Sequence, residues 1–454
     1  MPEVPVKLYV EKILKSCRES ARQVARLTGP LKEQALHAMG DRLAADEAKI
    51  LDANKQDVDA VGKSLEGGTT RERVKQAVAR VRMTADDVKI MADRLHLIAD
   101  LPDPVGVVTK RWERPDGLQV SRVRVPIGII GVISDFQPLI TVESVAVCLK
   151  SGNVCVFRPA PEWIRTHRAI ESGMREAAAK AGVPAGAWAL LERTEKEAAM
   201  ELIRAGKLLD AIIPRGGAGL RKAVADQAKM PVLGYDGGMS PMYVDGDVDI
   251  PMAQNVVINS KIQQAAASNA IDTLLVHQGI ARPFLPALIR RLLDEYKVEV
   301  LGCPKTVALM GQMSMTGHQA VKAAADADWD AQFQAPVLAV KMVTGLDDAL
   351  AHIERHGPCL TAVIATNQYE AAMRFTREVE ATAVLVNASS RLNAGDSYGM
   401  GVDIGMHVSR AHLRGPIGLE QLTGEKYVVF GTGQLRYPHP VPDTYEDAIM
   451  LKRF

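Results

Sequence analysis

The segment NSKIQQAAASNAIDTLLVH, from Asn259 to His277, has the layout of a loop that presents a side chain. Its first half is polar and runs through three alanines to Ser268 and Asn269, and its second half favours a buried strand. A serine hydroxyl attacks a carbonyl group only when a base takes its proton, and no histidine adjoins Ser268 in the sequence. The segment therefore indicates a reactive loop whose chemistry stays open on these residues alone.

Two predicted strand ends carry groups that suit an anionic ligand. In IIPRGGAGLRKAV a strand runs into a helix through the turn Pro214, Arg215, Gly216 and Gly217. Glycines let backbone N–H groups approach an anion, and a helix N-terminus favours negative charge. In LKSGNVCVFRP, Arg158 ends a second strand, where ligands of open α/β sheets lie. A plain chain reversal and a rim salt bridge explain the same residues equally well.

Several common catalytic motifs are missing from the chain. No GxGxxG follows a strand, and neither HExxH nor GxSxG occurs. The five cysteines form no CxxC, and no Cys/His pair has zinc spacing, so we expect no metal site and free thiols. A glycine-rich stretch at 394–422 carries Ser, Tyr, His and Asp403, and such loops often line sites, although a flexible connection would also use glycine.

The order of elements predicts an α/β protein. Residues 9–99 have helical spacing, and residues 119–134 are β-rich, first alternating and then continuously apolar. Strand and helix then alternate from 126 to 235, and again from about residue 251, which is typical of doubly wound parallel sheets. The tail KYVVFGTGQLRYPHPVP predicts a strand and an extended arm, which could pair with the ribbon near Gln119, within the chain or between subunits.

Composition excludes several classes of partner. The chain has 454 residues, is 47% hydrophobic and 24% charged, and carries a formal net charge of +1, so nothing indicates nucleic acid or an anionic membrane. The N-terminus lacks a signal-peptide pattern, and no apolar run approaches the roughly 20 residues of a membrane helix. We expect a cytoplasmic protein that binds a small molecule.

Taken together, long motifs resemble the gamma-glutamyl phosphate reductases, a branch of the aldehyde dehydrogenase superfamily. They include VRVPIGIIGVI, CLKSGN, IIPRGGAGL, VVINSK, SNAIDTLLVH, VLVNASSR and GMGVDIGMHVSRAHLRGPIGLEQL, in order from about residue 20 to 436. The resemblance implies an aldehyde dehydrogenase-like fold with two doubly wound α/β domains and a bridging β arm. It implies a cofactor domain at 1–250 whose sheet starts at 126, an arm ribbon at 106–125, a catalytic-type domain at 251–386, and a return with an oligomerisation arm at 387–454.

The family reaction, as the resemblance implies it, reduces L-glutamyl 5-phosphate to glutamate 5-semialdehyde with NADPH in proline biosynthesis. A cysteine thiolate attacks the acyl phosphate, and hydride reduces the thioester. The family sequence QRPGVCNA aligns with QQAAASNA, so Ser268 stands at the cysteine position. The resemblance further assigns Asn269 and Lys261 to catalysis, and to cofactor binding it assigns Arg158, Pro214, Arg215, Gly216, Gly217 and Asp403. It also implies a homo-oligomer, either a dimer or a tetramer.

Other polar family positions differ as well. The differing residues here are Gln137, Leu139, Met239, Ser240, Pro241, Gln332, Leu360 and Asp403. Three functions stay open: a working reductase, a family member that has lost this chemistry and binds a metabolite or partners an active paralogue, and an enzyme in which Ser268, Asp236 or Asp403 does different chemistry. A serine hydroxyl is far less acidic than a thiol, so we expect the family reaction to be weak or absent.

Overall fold

The computed structural model describes residues 4–65, 69–234, 237–313, 321–408 and 413–435. The helices in those ranges are α1 Val6–Val24, α2 Gly29–Ala45, α3 Glu47–Leu65, α4 Arg71–Val81, α5 Ala85–Asp100, α6 Leu139–Lys150, α7 Ile164–Lys180, α8 Lys196–Arg204, α9 Ala218–Gln227, α10 Ile250–Ile262, α11 Ala281–Asp294, α12 Pro304–Gln312, α13 Leu346–Arg355 and α14 Tyr369–Glu378. None of these described helices is long and apolar enough to cross a membrane.

The strands of the same ranges form two parallel sheets and two antiparallel ones. They are β1 Val108–Glu113, β2 Gln119–Pro126, β3 Ile129–Ser134, β4 Val154–Arg158, β5 Trp188–Leu190, β6 Ala211–Arg215, β7 Pro241–Val244, β8 Thr273–His277, β9 Glu299–Gly302, β10 Lys322–Ala323, β11 Val337–Val343, β12 Cys359–Ala365, β13 Ala381–Val386, β14 Met406–His407, β15 Gly415–Pro416 and β16 Thr423–Phe430.

The first parallel sheet has the order β5-β4-β3-β6. Every residue of β3 and β4 is buried, because α6 covers one face and the N-terminal helices cover the other. The sequence also predicted a strand at PVLGY, and this prediction was wrong: Val232 makes only a single bridge to Ile212. The proline before Val232 has no N–H to donate to a ladder, which limits pairing there.

The second parallel sheet has the order β10-β9-β11-β8-β7-β12-β13. Its strand β7 lies on the N-terminal side of residue 250, so this sheet begins before the predicted domain boundary, which stays a prediction. The Asp249 side chain caps α10 by accepting the Met252 N–H, and Pro251 suits the first helical turn. This helix ends at Ile262 and delivers the loop that leads to Ser268.

The bridging arm is the antiparallel sheet β1-β2-β16. Strand β16 pairs with β2 over its whole length, from Thr423 opposite Pro126 to Phe430 opposite Gln119. The predicted pairing of the tail with the early ribbon is therefore confirmed, and it occurs within one chain. The residues beyond 435, including the C-terminal extension, lie outside the described part of the chain.

Candidate active site

A cleft of about 530 Å³ opens between the two parallel sheets. Its floor is formed by the carboxyl ends of β3 and β6, and its other side by the loop after α10. The side chains that line it include four arginines and two aspartates, which are Arg80, Arg215, Arg221, Arg391, Asp135 and Asp403. The cleft also contains Ser268, Asn269, Pro214 and Gly216, so the structure brings most of the predicted site residues together.

Ser268 lies on the cleft wall in a run of turns between α10 and β8. Its backbone carbonyl accepts hydrogen bonds from Ser240 Oγ at 3.1 Å and Gln332 Nε2 at 3.4 Å. These two bonds fix the loop from behind. Among the described residues, its hydroxyl has no hydrogen-bond partner, and none of the described residues that line the cleft is a histidine. The loop thus presents a hydroxyl without an adjoining base.

Asn269 is buried next to Ser268, with its side chain fixed at one end. Its Nδ2 donates to the backbone carbonyl of Asn393 at 2.9 Å, while its Oδ1 is buried without a hydrogen-bond partner. A buried oxygen without a donor is unfavourable in free energy, and such atoms occur where a ligand supplies the missing group. Asn269 therefore suits a contact with a ligand N–H or O–H group.

Lys261 does not line the cleft. It is fully buried behind the loop, where Nζ donates to the backbone carbonyl of Ile271 at 3.0 Å. Burial lowers its pKa to about 8, and Asp272 partly opposes this shift. Burial likewise raises the pKa of Asp272 to about 7, against the opposing effect of Lys261 and two backbone N–H donors. The role predicted for Lys261 in catalysis stays a prediction, and its contacts are those of a residue that supports the loop.

Arg158 ends β4 at the rim of the cofactor sheet, where it is 6% exposed. Its guanidinium donates to the backbone carbonyl of Thr194 and lies 3.8 Å from Asp135, which follows β3. Its Nε is buried without a hydrogen-bond partner. Burial raises the pKa of Asp135, and Arg158 works against that shift.

The glycine turn after β6 leads into α9 as the sequence predicted. A Cβ at Gly216 would lie 2.5 Å from Asp135 Oδ2, so packing alone explains that glycine. Gly217 differs, because it is the exposed N-cap of α9 with φ −65° and a Cβ there would meet nothing within 4 Å. Neither backbone conformation nor protein packing requires glycine at this position, so its bare backbone stays available to a ligand.

Asp403 and Arg215 both line the cleft, and their opposite charges interact. The carboxylate of Asp403 accepts the Gly395 N–H at 2.7 Å, and burial raises its pKa while this bond and Arg215 lower it. Arg215 Nε is buried without a hydrogen-bond partner. Asp236, the third residue named for different chemistry, lies outside the described residues, so its role stays a prediction.

The sequence analysis missed the three other arginines of the cleft. Arg80 ends α4 and donates to the backbone carbonyl of Asp135 at 3.1 Å, and Arg391 is held by Gln263 at 2.7 Å and Gln264 at 3.0 Å. Arg221, in α9, approaches Gln332 at 3.4 Å. The strand-end rule could have found Asp135, whereas Arg80 comes from a distant helix and carried no local signal.

Comparison with known proteins agrees with this architecture. The family model described as "Aldehyde dehydrogenase family" matches residues 7–306. Gamma-glutamyl phosphate reductase of Heliobacterium modesticaldum is 39% identical over 93% of this chain and 97% of its own length, and that of Moorella thermoacetica is 40% identical over 95% and 99%. The crystal structure of gamma-glutamyl phosphate reductase from Thermotoga maritima has a TM-score of 0.87 at 35% identity, covering 94% of this chain and all of that one.

The chain therefore belongs to the aldehyde dehydrogenase family. Its predicted fold, an aldehyde dehydrogenase-like α/β architecture, is confirmed. Within that family the relatives described above are gamma-glutamyl phosphate reductases, which the sequence motifs indicated. This chain is similar to them along nearly its whole length, so the comparison extends to the cleft as well as to the scaffold.

Proposed function

We propose that this chain is a gamma-glutamyl phosphate reductase-like protein that binds NADP(H) and an acyl phosphate or related anion, but reduces acyl phosphates weakly. The observation that supports this proposal is the cleft itself, with arginines around it and a serine where the resemblance expects a cysteine. The family reaction is the reduction of L-glutamyl 5-phosphate to L-glutamate 5-semialdehyde. In this proposal the chain binds the ligands of that reaction and catalyses the reduction itself only weakly.

The weak step is nucleophilic attack. A thiol with a pKa near 8.5 is ionised to roughly a few per cent at neutral pH, whereas a serine hydroxyl needs a dedicated base. The cleft has two carboxylates that could act as a base, Asp135 and Asp403. Each already interacts with an arginine: Asp135 with Arg158, and Asp403 with Arg215. No contact joins either carboxylate to the Ser268 hydroxyl among the described residues. An oxoester would also accept hydride less readily than a thioester.

The residues at the strand ends fit a dinucleotide phosphate cofactor. The N-terminus of α9 starts at Gly217, whose backbone no side chain covers, and helix N-termini bind phosphate groups through free N–H groups and the helix dipole. Arg158 offers a buried cation with an unpartnered Nε at the adjacent strand end. When bound, NADPH supplies the hydride. The residues Arg158 and Pro214–Gly217 would hold it, and Asp403 lies in the lining of the same cleft.

The arginines on the opposite wall fit the anionic substrate. Arg391 lies next to the Ser268 loop, where its guanidinium donates hydrogen bonds to two glutamines. Glutamine is neutral, so neither partner compensates the positive charge of Arg391. Burial lowers the pKa of this guanidinium, with Asp396 opposing the shift, yet arginine stays protonated in proteins. A phosphorylated dicarboxylic amino acid such as glutamyl phosphate carries the negative charge that this wall favours.

Three further points belong to the same proposal. We propose a cytoplasmic location, because the bacterial relatives are named for a biosynthetic reduction. We propose a homo-oligomer, because Tyr427 and Phe430 lie about two-thirds exposed on β16 of the arm. A partnership with an active paralogue remains an alternative to independent catalysis, as does different chemistry at Ser268 or Asp403.

The test measures binding and turnover separately on purified protein. Fluorescence titration measures the binding of NADPH and NADP+. Turnover is measured in the direction of phosphate-dependent oxidation of glutamate semialdehyde, as the rate of NADPH formation, in wild type, Ser268→Cys and Ser268→Ala. We expect micromolar-range cofactor binding in all three and clear turnover only with cysteine. Ser397→Cys is the matched control, since it adds a thiol at an exposed site outside the cleft lining.

Wild-type turnover equal to that of Ser268→Cys would contradict the weak-reductase proposal. Absence of NADPH and NADP+ binding in every variant would contradict the assignment of the cofactor site. Equal turnover of wild type and Ser268→Ala would show that any residual activity does not use the hydroxyl.

A further inference from the structure

Two N-terminal helices bring histidines and carboxylates together. Helix α2 carries Glu33 and His37, and helix α5 carries His96 and Asp100. Each pair has i,i+4 spacing, which puts both side chains on one face of the helix. The two faces meet, since His37 Nε2 lies 2.9 Å from Asp100 Oδ1.

The ligand atoms converge closely enough for one ion. Glu33, His37 and Asp100 each place one ligand atom within 4.8 Å of the other two. Two ligands of a tetrahedral ion with bonds of about 2.1 Å lie about 3.4 Å apart, so rotations of the side chains that shorten these separations would bring all three to bonding distance. Glu33 and Asp100 are exposed, so these rotations meet little resistance.

A second imidazole is placed to hold the first one. His37 Nδ1 lies 2.9 Å from His96 Nδ1, and His96 Nε2 lies 3.5 Å from Asp41 Oδ1. With an ion bound at Nε2, His37 would donate its Nδ1–H to His96, and His96 would direct its own Nε2–H towards Asp41. Metal-bound histidines usually donate the other ring N–H to a carboxylate, a backbone carbonyl or water, which fixes the tautomer, and here the His96 ring would take that place and leave Nε2 free for the metal.

The backbone of α2 makes room for this second imidazole. Gly40 lies inside the helix, where a Cβ would be only 2.7 Å from His96 Nε2 and 2.9 Å from its Cε1. Glycine weakens a helix interior, so its presence here has a packing reason. Because Gly40 has no side chain, the His96 ring can lie against α2 and reach His37.

A simple ion pair between His37 and Asp100 would explain only part of this arrangement. It does not use Glu33, which lies one turn before His37 on the same face. The nearest buried cations are bonded elsewhere: Lys32 donates to the carbonyl of Lys150 and pairs with Asp103, and Lys150 donates to the carbonyl of Ala99. Lys150 attracts Glu33 and Asp100 electrostatically. No lysine or arginine of the described residues hydrogen-bonds to either carboxylate, so both keep ligand atoms available towards solvent.

We propose that Glu33, His37 and Asp100 bind a divalent transition metal such as Zn²⁺, with water completing the coordination and His96 as the outer partner. One imidazole and two carboxylates form a donor set that zinc accepts, with an open position for water. The bound ion links α2 to α5 and stabilises the helical layer. Cysteine and histidine spacings alone predicted no metal, and they do not show this site, because one of its three ligands comes from a second helix.

The test uses tag-free protein, stripped with a chelator and dialysed, and titrated with Zn²⁺ by calorimetry. We expect one site in wild type. His37→Ala and Asp100→Asn should weaken Zn²⁺ binding by about 100-fold or more, and His96→Phe by about 10-fold, as for outer partners of metal ligands. His356→Ala is the matched control, because His356 also pairs with an aspartate, Asp330. Among the described residues this pair belongs to no group of three metal ligands.

Co²⁺ provides a second measurement, since its visible absorption reports the coordination geometry of the bound ion, and this spectrum should change in His37→Ala. Glu33→Gln keeps shape and is exposed, so it tests the site even where His37→Ala disturbs folding. Failure of wild type to bind Zn²⁺ with one-site stoichiometry would overturn the proposal. Equal Zn²⁺ affinity in wild type, His37→Ala and Glu33→Gln would also overturn it, since binding would then occur elsewhere.

Discussion

Replacing Gly217 by alanine separates cofactor binding from folding. In the folded chain Gly217 has an ordinary backbone conformation and an added methyl group would meet nothing within 4 Å. A ligand phosphate seated on the N-terminus of α9 would come to the same place as that methyl group. The substitution should therefore hinder the binding of a phosphate at this site without disturbing the packing of the protein.

The expected effect on stability is close to zero. Alanine is a poorer N-cap than glycine, which costs about 0.5–1 kcal/mol. Alanine also reduces the entropy of the unfolded chain, which stabilises the folded state by about 0.4–1 kcal/mol where the conformation is compatible. These contributions offset each other, so the free energy of unfolding should change by less than about 0.5 kcal/mol.

The expected effect on binding is much larger. A methyl group that moves the phosphate off the helix N-terminus weakens several N–H contacts at once, and we expect the Kd for NADPH to rise at least about tenfold, equivalent to about 1.4 kcal/mol. NADPH fluorescence titration measures the Kd, and urea unfolding without cofactor measures stability. Gly311→Ala is the matched control, because a Cβ at that glycine of α12 also meets nothing within 4 Å and it lies outside the cleft lining.

Two outcomes would refute the reasoning about Gly217. An NADPH affinity within twofold of wild type would mean that the phosphates do not lie on α9. A loss of several kcal/mol of stability would mean that the methyl group contacts protein atoms, and the conclusion that the space around Gly217 is free of protein atoms would then be wrong.

The remaining predictions concern buried carboxylates and the α2 glycine. Burial raises the pKa of Glu143 from 4.5 to about 7, although Arg94 opposes this shift. The folded chain therefore binds this proton more tightly than the unfolded chain. The resulting stabilisation of the fold is fully present below pH 4.5 and is lost as the pH rises through 7. Glu143→Gln should therefore match wild type near pH 4.5 and exceed its unfolding free energy at pH 8, by at most about 3 kcal/mol, in denaturant titrations at the two pH values. Asp57 is buried and accepts from Thr166 N and Oγ1 at 2.8 Å each, so Asp57→Ala should cost about 3–5 kcal/mol, and a melting temperature equal to wild type would contradict this. Gly40→Ala should lower the melting temperature because overpacking against His96 costs about 1–3 kcal/mol, more than the helix propensity gained, and an increase would show that His96 moves away freely.

The alternation of apolar strands and amphipathic helices made the fold predictable. The strand β3 and the capping box of α5, where Thr84 accepts from Asp87, follow from local sequence. The strand β7 was not predicted as a strand, because four residues are too few to show a period. Residue patterns also do not show that α4 brings Arg80 to the end of β3, since that contact is set by packing between distant segments.

The strand-end rule predicted the parts of the site that sit on the sheet. Arg158 and the turn at Pro214–Gly217 lie where parallel strands end, so their positions followed from the topology. Lys261 shows the limit of motif transfer: it adjoins the loop in sequence, yet its side chain points to the buried carbonyl of Ile271. Whether a side chain next to a reactive loop faces the cleft or the core depends on the helix phase, which one motif does not fix.

Four of the positions at which the resemblance implies a different residue, Met239, Ser240, Gln332 and Leu360, are connected in space. Ser240 and Gln332 both donate to the carbonyl of Ser268. Met239 accepts the N–H of Leu360 at 2.9 Å, and Leu360 packs with Met406 and Val408. These residues form one connected support behind the loop.

Because contacting residues have non-additive effects, a thiol introduced at Ser268 alone meets a support that differs from the one the resemblance implies. Ser268→Cys should therefore recover only part of the family activity, and adding changes at Ser240 and Gln332 should alter turnover by more than the sum of their separate effects. Strictly additive effects, measured as kcat in a double-mutant cycle of Ser268→Cys with Gln332→Glu, would show that the support and the nucleophile act independently.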